Sequence, residues 1–215
     1  MGQKLLPPHD PYTVFGTAGQ SMNDTSFSKK FGKKNTRVGK SGEELLFKMM
    51  RGRGGWLPPE IPLYCSLRIP DVKYNIDSDF AICNGNRVLL IDAKYWKQSS
   101  GFLWNISGDG DNMFEGLRRW KSNKGEPYSF SRSMVTAKDV FKRKLPGYQV
   151  EAIVVLVTGH GKNTRLPNTW FLRAPGGIKV FNNHSAQRYI RSFLRGTKRT
   201  EATRNAEILL ERCVQ

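Results

Sequence analysis

The chain has 215 residues, of which 35 are Lys or Arg and 18 are Asp or Glu, for a net charge of +17. This length allows one well-formed core with residues left over as arms, and the charge makes a field that draws polyanions, nucleic acid first among them. Cys65, Cys83 and Cys213 form no CxxC pair, which speaks against a zinc site or a disulfide framework. No run reaches the ~18 apolar residues of a membrane span, and MGQKLL matches neither a signal peptide nor a myristoylation pattern. The expectation is a soluble protein with no membrane partner, cytoplasmic or otherwise intracellular, or carried in a virion.

Residues 1–40 are rich in Gly, Pro, Ser, Asn and Lys, lack a sustained apolar period, and end in SKKFGKKNTRVGK. They predict an extended basic arm in which Lys29, Lys30, Lys33, Lys34 and Arg37 contact a phosphate backbone, or in which the arm lies on a protein partner. A core domain is predicted over 41–196. Ser41 and Glu44 form a capping box at a helix start, Leu45, Leu46, Met49 and Met50 make its buried stripe, and Gly54–Gly55 stop it. A short strand fits between prolines near Leu63–Leu67. NIDSDFAIC, NGN and RVLLIDAKYW then predict a hairpin.

Residues 100–130 form a long excursion that includes Arg118 and Arg119 in LRRWK. A helix is predicted over 131–145, stopped by Pro146–Gly147, followed by the buried strand EAIVVLVTG. TWFLRAP and GIKVFNN read as further strands. SAQRYIRSFLRG reads as a closing helix with Arg188, Arg191 and Arg195 along one face, available to phosphates. Residues 197–215 are a polar C-terminal helix or tail. VTGHGKNT has the wrong spacing for a phosphate loop, and SGDGDNMFEG breaks the calcium-loop pattern.

The run Val88–Ile91 has the character of a strand covered on both faces, yet it ends in Asp92 and Lys94. Such groups must be paired, solvated or used. If Asn84–Gly85 is the hairpin turn, Asp77 falls opposite Asp92; if Gly85–Asn86 is the turn, Asp79 does. Either register puts Asp77, Asp79, Asp92 and Lys94 on one face. Clustered carboxylates repel one another unless a cation sits among them, and Mg²⁺ or Mn²⁺ suits carboxylate oxygens. Asp92, one of the two upstream aspartates and the backbone carbonyl of Ala93 are the candidate metal ligands. Lys94 is placed to serve an attacking water and a scissile phosphate, and Glu43 to complete the set from the first helix. The competing reading is a plain Asp92–Lys94 ion pair at the wet end of a strand.

SGEELLFKMM, IDSDFAI and NRVLLIDAKYW resemble the nuclease-related domain (NERD) of the PD-(D/E)xK, restriction-endonuclease-like superfamily. Gly42–Glu43 matches the Gly-Glu at the family's helix start, Asp79 the aspartate before the hydrophobic strand, and Asp92–Ala93–Lys94 the (E/D)xK element. The likeness covers about residues 39–96 and makes Asp79 a better ligand candidate than Asp77. It implies an α/β (α+β) fold with a mixed central sheet flanked by helices, and metal-dependent cleavage of nucleic-acid phosphodiesters. The expected function is therefore a Mg²⁺- or Mn²⁺-dependent nuclease acting on nucleic acid, DNA foremost. The alternative is a nuclease-fold protein that binds nucleic acid or builds a nucleoprotein particle or virion, with little or no catalysis.

Overall fold

A computed structural model describes residues 5–20, 33–69, 77–96, 132–158, 173–196 and 198–215. They form a mixed α/β fold around one seven-stranded sheet in the order β1-β2-β3-β4-β5-β7-β6. The strands are β1 (Val14–Phe15), β2 (Leu63–Arg68), β3 (Asp77–Asn84), β4 (Arg87–Trp96), β5 (Gln149–Thr158), β6 (Arg173–Ala174) and β7 (Ile178–Asn182). Four helices accompany them: α1 (Lys33–Arg51), α2 (Ser133–Lys144), α3 (Asn183–Phe193) and α4 (Glu201–Cys213). β2, β3 and β4 make an antiparallel meander, and β4, β5 and β7 run parallel to one another.

Alternation along the strands divides the core in two. Leu89 and Ile91 of β4, with Phe80 and Ile82 of β3, pack against Leu46 and Met50 of α1 and Ala186, Ile190 and Phe193 of α3. Val88 and Leu90 point the other way, toward Met134, Ala137 and Phe141 of α2 and Ala206 and Leu210 of α4. Helices on both faces explain why β4 is a nearly continuous apolar run: from Val88 to Ala93 it is buried, and exposure begins only at Lys94.

Helix α1 differs from its predicted form. It starts at Lys33, inside the stretch expected to be an arm, and Ser41 lies in its interior with its hydroxyl donating to the Arg37 carbonyl at 2.9 Å. A serine back-bonded four residues upstream is a helix-interior serine, so the capping-box reading was wrong. Leu46 and Met50 are buried as expected, while Leu45 and Met49 are only half-buried. The helix ends at Arg51, whose guanidinium donates to the carbonyls of Pro58, Thr13 and Ile61 and so fixes the proline-rich connection to β2.

Residues 5–20 lie on the domain. β1 pairs with β2, the Leu6 N–H donates to the Arg199 carbonyl at 2.8 Å, and Leu5 bridges Thr200. The basic stretch 21–32, the 100–130 excursion and the loop after Thr158 fall outside the described residues. No helix among the described residues is long and apolar enough to cross a membrane.

Candidate active site

The hairpin chooses between the two open registers. Asn84 pairs with Arg87, Cys83 with Val88 and Phe80 with Ile91, so Gly85–Asn86 is the turn, with Gly85 at φ +60°. One step beyond the last pair, Asp79 stands across from Asp92. There the strands part: β3 stays beside β2 as far as Asp77, and β4 stays beside β5 as far as Trp96. The Ala93 N–H, left without a backbone partner on β3, donates instead to the Asp79 carboxylate (Oδ2) at 2.6 Å. Because the N–H and C=O of one strand residue point the same way, the Ala93 carbonyl opens into the same gap.

Helix α1 approaches that gap closely. Gly42 lies so near β4 that a Cβ on it would sit 2.8 Å from the Tyr95 Cβ and 3.1 Å from the Tyr95 nitrogen. Any side chain at position 42 would push the helix away from β4, which is the physical reason for a glycine before Glu43. Glu43 follows on the stripe that continues through Leu46 and Met50, and only 1% of it is exposed. Strand alternation alone would leave Asp92 and Lys94 on the face away from α1. The gap between β3 and β4 removes the barrier, and Glu43 feels the charges of Lys94, Asp92 and Asp77.

The Lys94 ammonium contacts Asp92 Oδ1 at 2.7 Å. Burial pushes the Asp79 carboxyl well above the usual carboxylate range, and the charges of Glu43 and Asp92 add to the effect against Lys94 and the Ala93 N–H. Burial likewise raises Glu43 to about 7, opposed by the Gly19 N–H and by Lys94. Glu43 Oε2 accepts from the Gly19 N–H at 2.8 Å, whereas its Oε1 is buried with no hydrogen-bond partner among the described residues. Asp77 is half-buried at the start of β3, and its charge adds to the rise of Glu43.

The structure thus brings Glu43, Asp79, Asp92 and Lys94 into one group, with the Ala93 backbone beside it. The donors are hard oxygens, the class Mg²⁺ and Mn²⁺ prefer, and the bare Glu43 Oε1 is the kind of atom a cation would satisfy. Among the described residues, however, no three His, Cys, Asp or Glu side chains are already arranged to hold a metal ion. Two oxygens that a cation would need are engaged in this arrangement, Asp92 Oδ1 by Lys94 and Asp79 Oδ2 by Ala93.

The predicted phosphate contacts are spread out. Arg37 is exposed on α1, and Arg188, Arg191 and Arg195 are exposed on α3 and just past its end. The parallel strands β4, β5 and β7 all end at the edge of the sheet that holds Asp92 and Lys94, and α3 starts there and runs back. Its last carbonyl, on Phe193, accepts from Asn84 Nδ2 at 2.8 Å beside the hairpin turn, so Arg195 is at the far end of the sheet. Lys33 and Lys34 lie in the first turn of α1, but their side chains, with Lys29, Lys30, Arg118 and Arg119, are outside the described residues.

One participant had no signal in the sequence, Gly19. FGTAGQ holds two glycines at turn spacing, yet nothing local says that the turn folds back on Glu43. A cavity of about 240 Å³ lies elsewhere, lined by Leu5, His9, Glu60, Cys83, Arg199 and Glu207 among others. Its buried carboxylate, Glu207, is closed on His9 and Arg199, so the acidic group at the β3–β4 gap is the better candidate for chemistry. No protein-family model, no curated protein and no solved structure matches this chain.

Proposed function

We propose that the chain is a metal-dependent nuclease of the restriction-endonuclease-like kind, hydrolysing DNA phosphodiester bonds at the Glu43–Asp79–Asp92–Lys94 group. One observation carries the reading: Glu43, almost fully buried, brings a carboxylate oxygen with no hydrogen-bond partner among the described residues into electrostatic reach of further carboxylates and an ammonium. A fold does not keep such an oxygen without cost unless something else satisfies it. Asp79, Asp92 and the Ala93 carbonyl would hold Mg²⁺ or Mn²⁺, with Glu43 completing the set. The bound cation would supply an activated water and charge for the phosphate. Lys94, held by Asp92, orients the attacking water and offsets charge on the scissile phosphate. Arg37 and the α3 arginines hold the backbone of the nucleic acid without reading its sequence.

A specific observation favours a second reading. The Asp92–Lys94 pair is closed at 2.7 Å, as it would be in a nuclease fold kept for binding nucleic acid or for building a nucleoprotein particle or virion. In that reading the basic stretch before α1 contacts nucleic acid or a protein partner, and the acidic group is dormant.

Cleavage of linear and supercoiled DNA in Mg²⁺ or Mn²⁺ separates the two. Asp92→Ala and Lys94→Ala are expected to lower the rate by roughly 10²–10³-fold or more while the fold and DNA binding persist. Equal activity in all three proteins would assign the cleavage to another site or a contaminant. Tight, salt-sensitive binding with no cleavage would establish the second reading.

A further inference from the structure

Ser66 stands in the middle of β2 with φ +51°, the left-handed region that a residue with a side chain seldom adopts, and it is fully buried. Pairing between β2 and β3 includes Cys65–Phe80 and Leu67–Ser78, so Ser66 holds the position across from Asp79. Backbone strain in a buried strand next to an acidic group persists only where the surroundings over-determine it. Three hydrogen bonds do so here. The Ser66 hydroxyl donates to the Thr17 carbonyl at 2.7 Å and accepts from the Gln20 N–H at 3.2 Å, and the Ser66 carbonyl accepts from the Gln215 N–H at 3.3 Å.

Thr17 and Gln20 are the two ends of one tight turn, closed by the Gln20 N–H on the Thr17 carbonyl at 3.2 Å. Gly19 occupies the third position with φ +77°, where a turn of this kind requires glycine. Its N–H is directed away from the turn onto Glu43 Oε2. The entry to the turn is equally constrained, since a Cβ on Gly16 would lie 2.6 Å from the Cys65 carbonyl oxygen. The strained serine is therefore linked to one oxygen of Glu43 by hydrogen bonds to both ends of the turn and, through the turn's backbone, by the Gly19 N–H.

We propose that Ser66 is a positioning residue for the Glu43 carboxylate. Its left-handed backbone aims the hydroxyl at both ends of the 17–20 turn, and the turn aims the Gly19 N–H at Oε2. This leaves Oε1 as the oxygen without a hydrogen-bond partner among the described residues, on a carboxylate within electrostatic reach of Asp79, Asp92 and Lys94. What the positioned carboxylate is for rests on the nuclease reading; that Ser66 positions it does not. Nothing in the chemistry of Ser66 touches the substrate.

The test uses Ser66→Gly in the full chain, because glycine accepts the left-handed backbone without strain while the hydroxyl and its Cβ are removed. Ser66→Asn, which also tolerates that region, is the second variant should glycine loosen β2. The first readout is amide hydrogen exchange at Gly19 in metal-free protein. Protection is expected to fall by about tenfold or more in Ser66→Gly and in Ser66→Asn. The second is Mn²⁺ affinity by calorimetry, expected to weaken roughly tenfold in Ser66→Gly, with no further loss when that change is added to Glu43→Gln. Undiminished Gly19 protection, or a Mn²⁺ loss that adds fully in the double variant, would overturn the proposal. If the unaltered chain binds no Mn²⁺ at all, the nuclease reading fails, and Gly19 exchange alone decides the role of Ser66.

Discussion

Glu43 and Glu207 are both sealed from water, at 1% and 2% exposure, and the fold answers their charges in opposite ways. Glu207 on α4 accepts from the Arg199 guanidinium at 2.7 Å and contacts His9 at 2.8 Å, so both of its oxygens have partners of opposite or compatible charge. Arg199 in turn donates to the Pro7 carbonyl, which ties residues 5–9 to the domain. Glu43 has a backbone N–H on one oxygen and other carboxylates within electrostatic reach of it, with Lys94 as the offsetting cation. A carboxylate buried for structure is closed off by its partners; one left among like charges is stabilised only when something else arrives.

Removing the structural carboxylate should produce the largest effect. Glu207→Ala leaves Arg199 and His9 facing an apolar void and frees residues 5–9, with an expected cost of about 3 kcal/mol by urea denaturation. Next comes Glu43→Gln, with the opposite sign. A carboxyl whose folded-state pKa is raised from 4.5 to about 7 contributes stability fully below pH 4.5, and that contribution is lost as pH rises through 7. The unaltered protein should therefore lose stability between about pH 5 and pH 8. Glu43→Gln should flatten that slope and be the more stable of the two at pH 8, by on the order of 2 kcal/mol.

Smaller again is the response to metal. Millimolar Mg²⁺ should raise the melting temperature at pH 8 by an amount equivalent to about 1–2 kcal/mol, and should do so far less in Glu43→Gln. A Mg²⁺ effect that survives in Glu43→Gln would break the contrast drawn between the two glutamates. The smallest effect on the fold belongs to the exposed arginines. Replacing Arg188, Arg191 and Arg195 by Ser should change stability by no more than about 0.5 kcal/mol. It should still flatten the salt dependence of DNA binding by about 0.9 per lost phosphate contact.

Local signals carried the sequence reading a long way. The Asn-Gly pair and its flanking apolar runs located β3, β4 and their turn, and period-two alternation placed Asp79, Asp92 and Lys94 on one face. Choosing between the two registers depended on which residues form the turn, and that is settled only when Gly85 takes the positive φ. The start of α1 was missed because Lys33–Lys40 carries no apolar stripe of its own and reads as solvated chain. Ser66 and Gly19 were missed for a different reason. Their roles depend on contacts between segments remote in sequence, and a lone serine in LYCSLR carries no mark of a left-handed backbone. The same holds for His9 and Glu207, which meet across nearly the whole chain.

The sheet order also has a consequence for how the molecule comes to be folded. The β2–β3–β4 meander joins neighbours in sequence and can close early, whereas the long parallel ladder from Arg87–Gln149 to Trp96–Thr158 must wait for a distant segment. Until β5 docks, the apolar Val88–Ile91 stretch presents an open edge with unsatisfied backbone groups, which is the arrangement most prone to pairing with another copy. Refolding should accordingly be slow and concentration-sensitive, with yield rising as the protein is diluted. Changes that weaken β5 should show first as aggregation during folding, before they show as lost stability in molecules that have already folded.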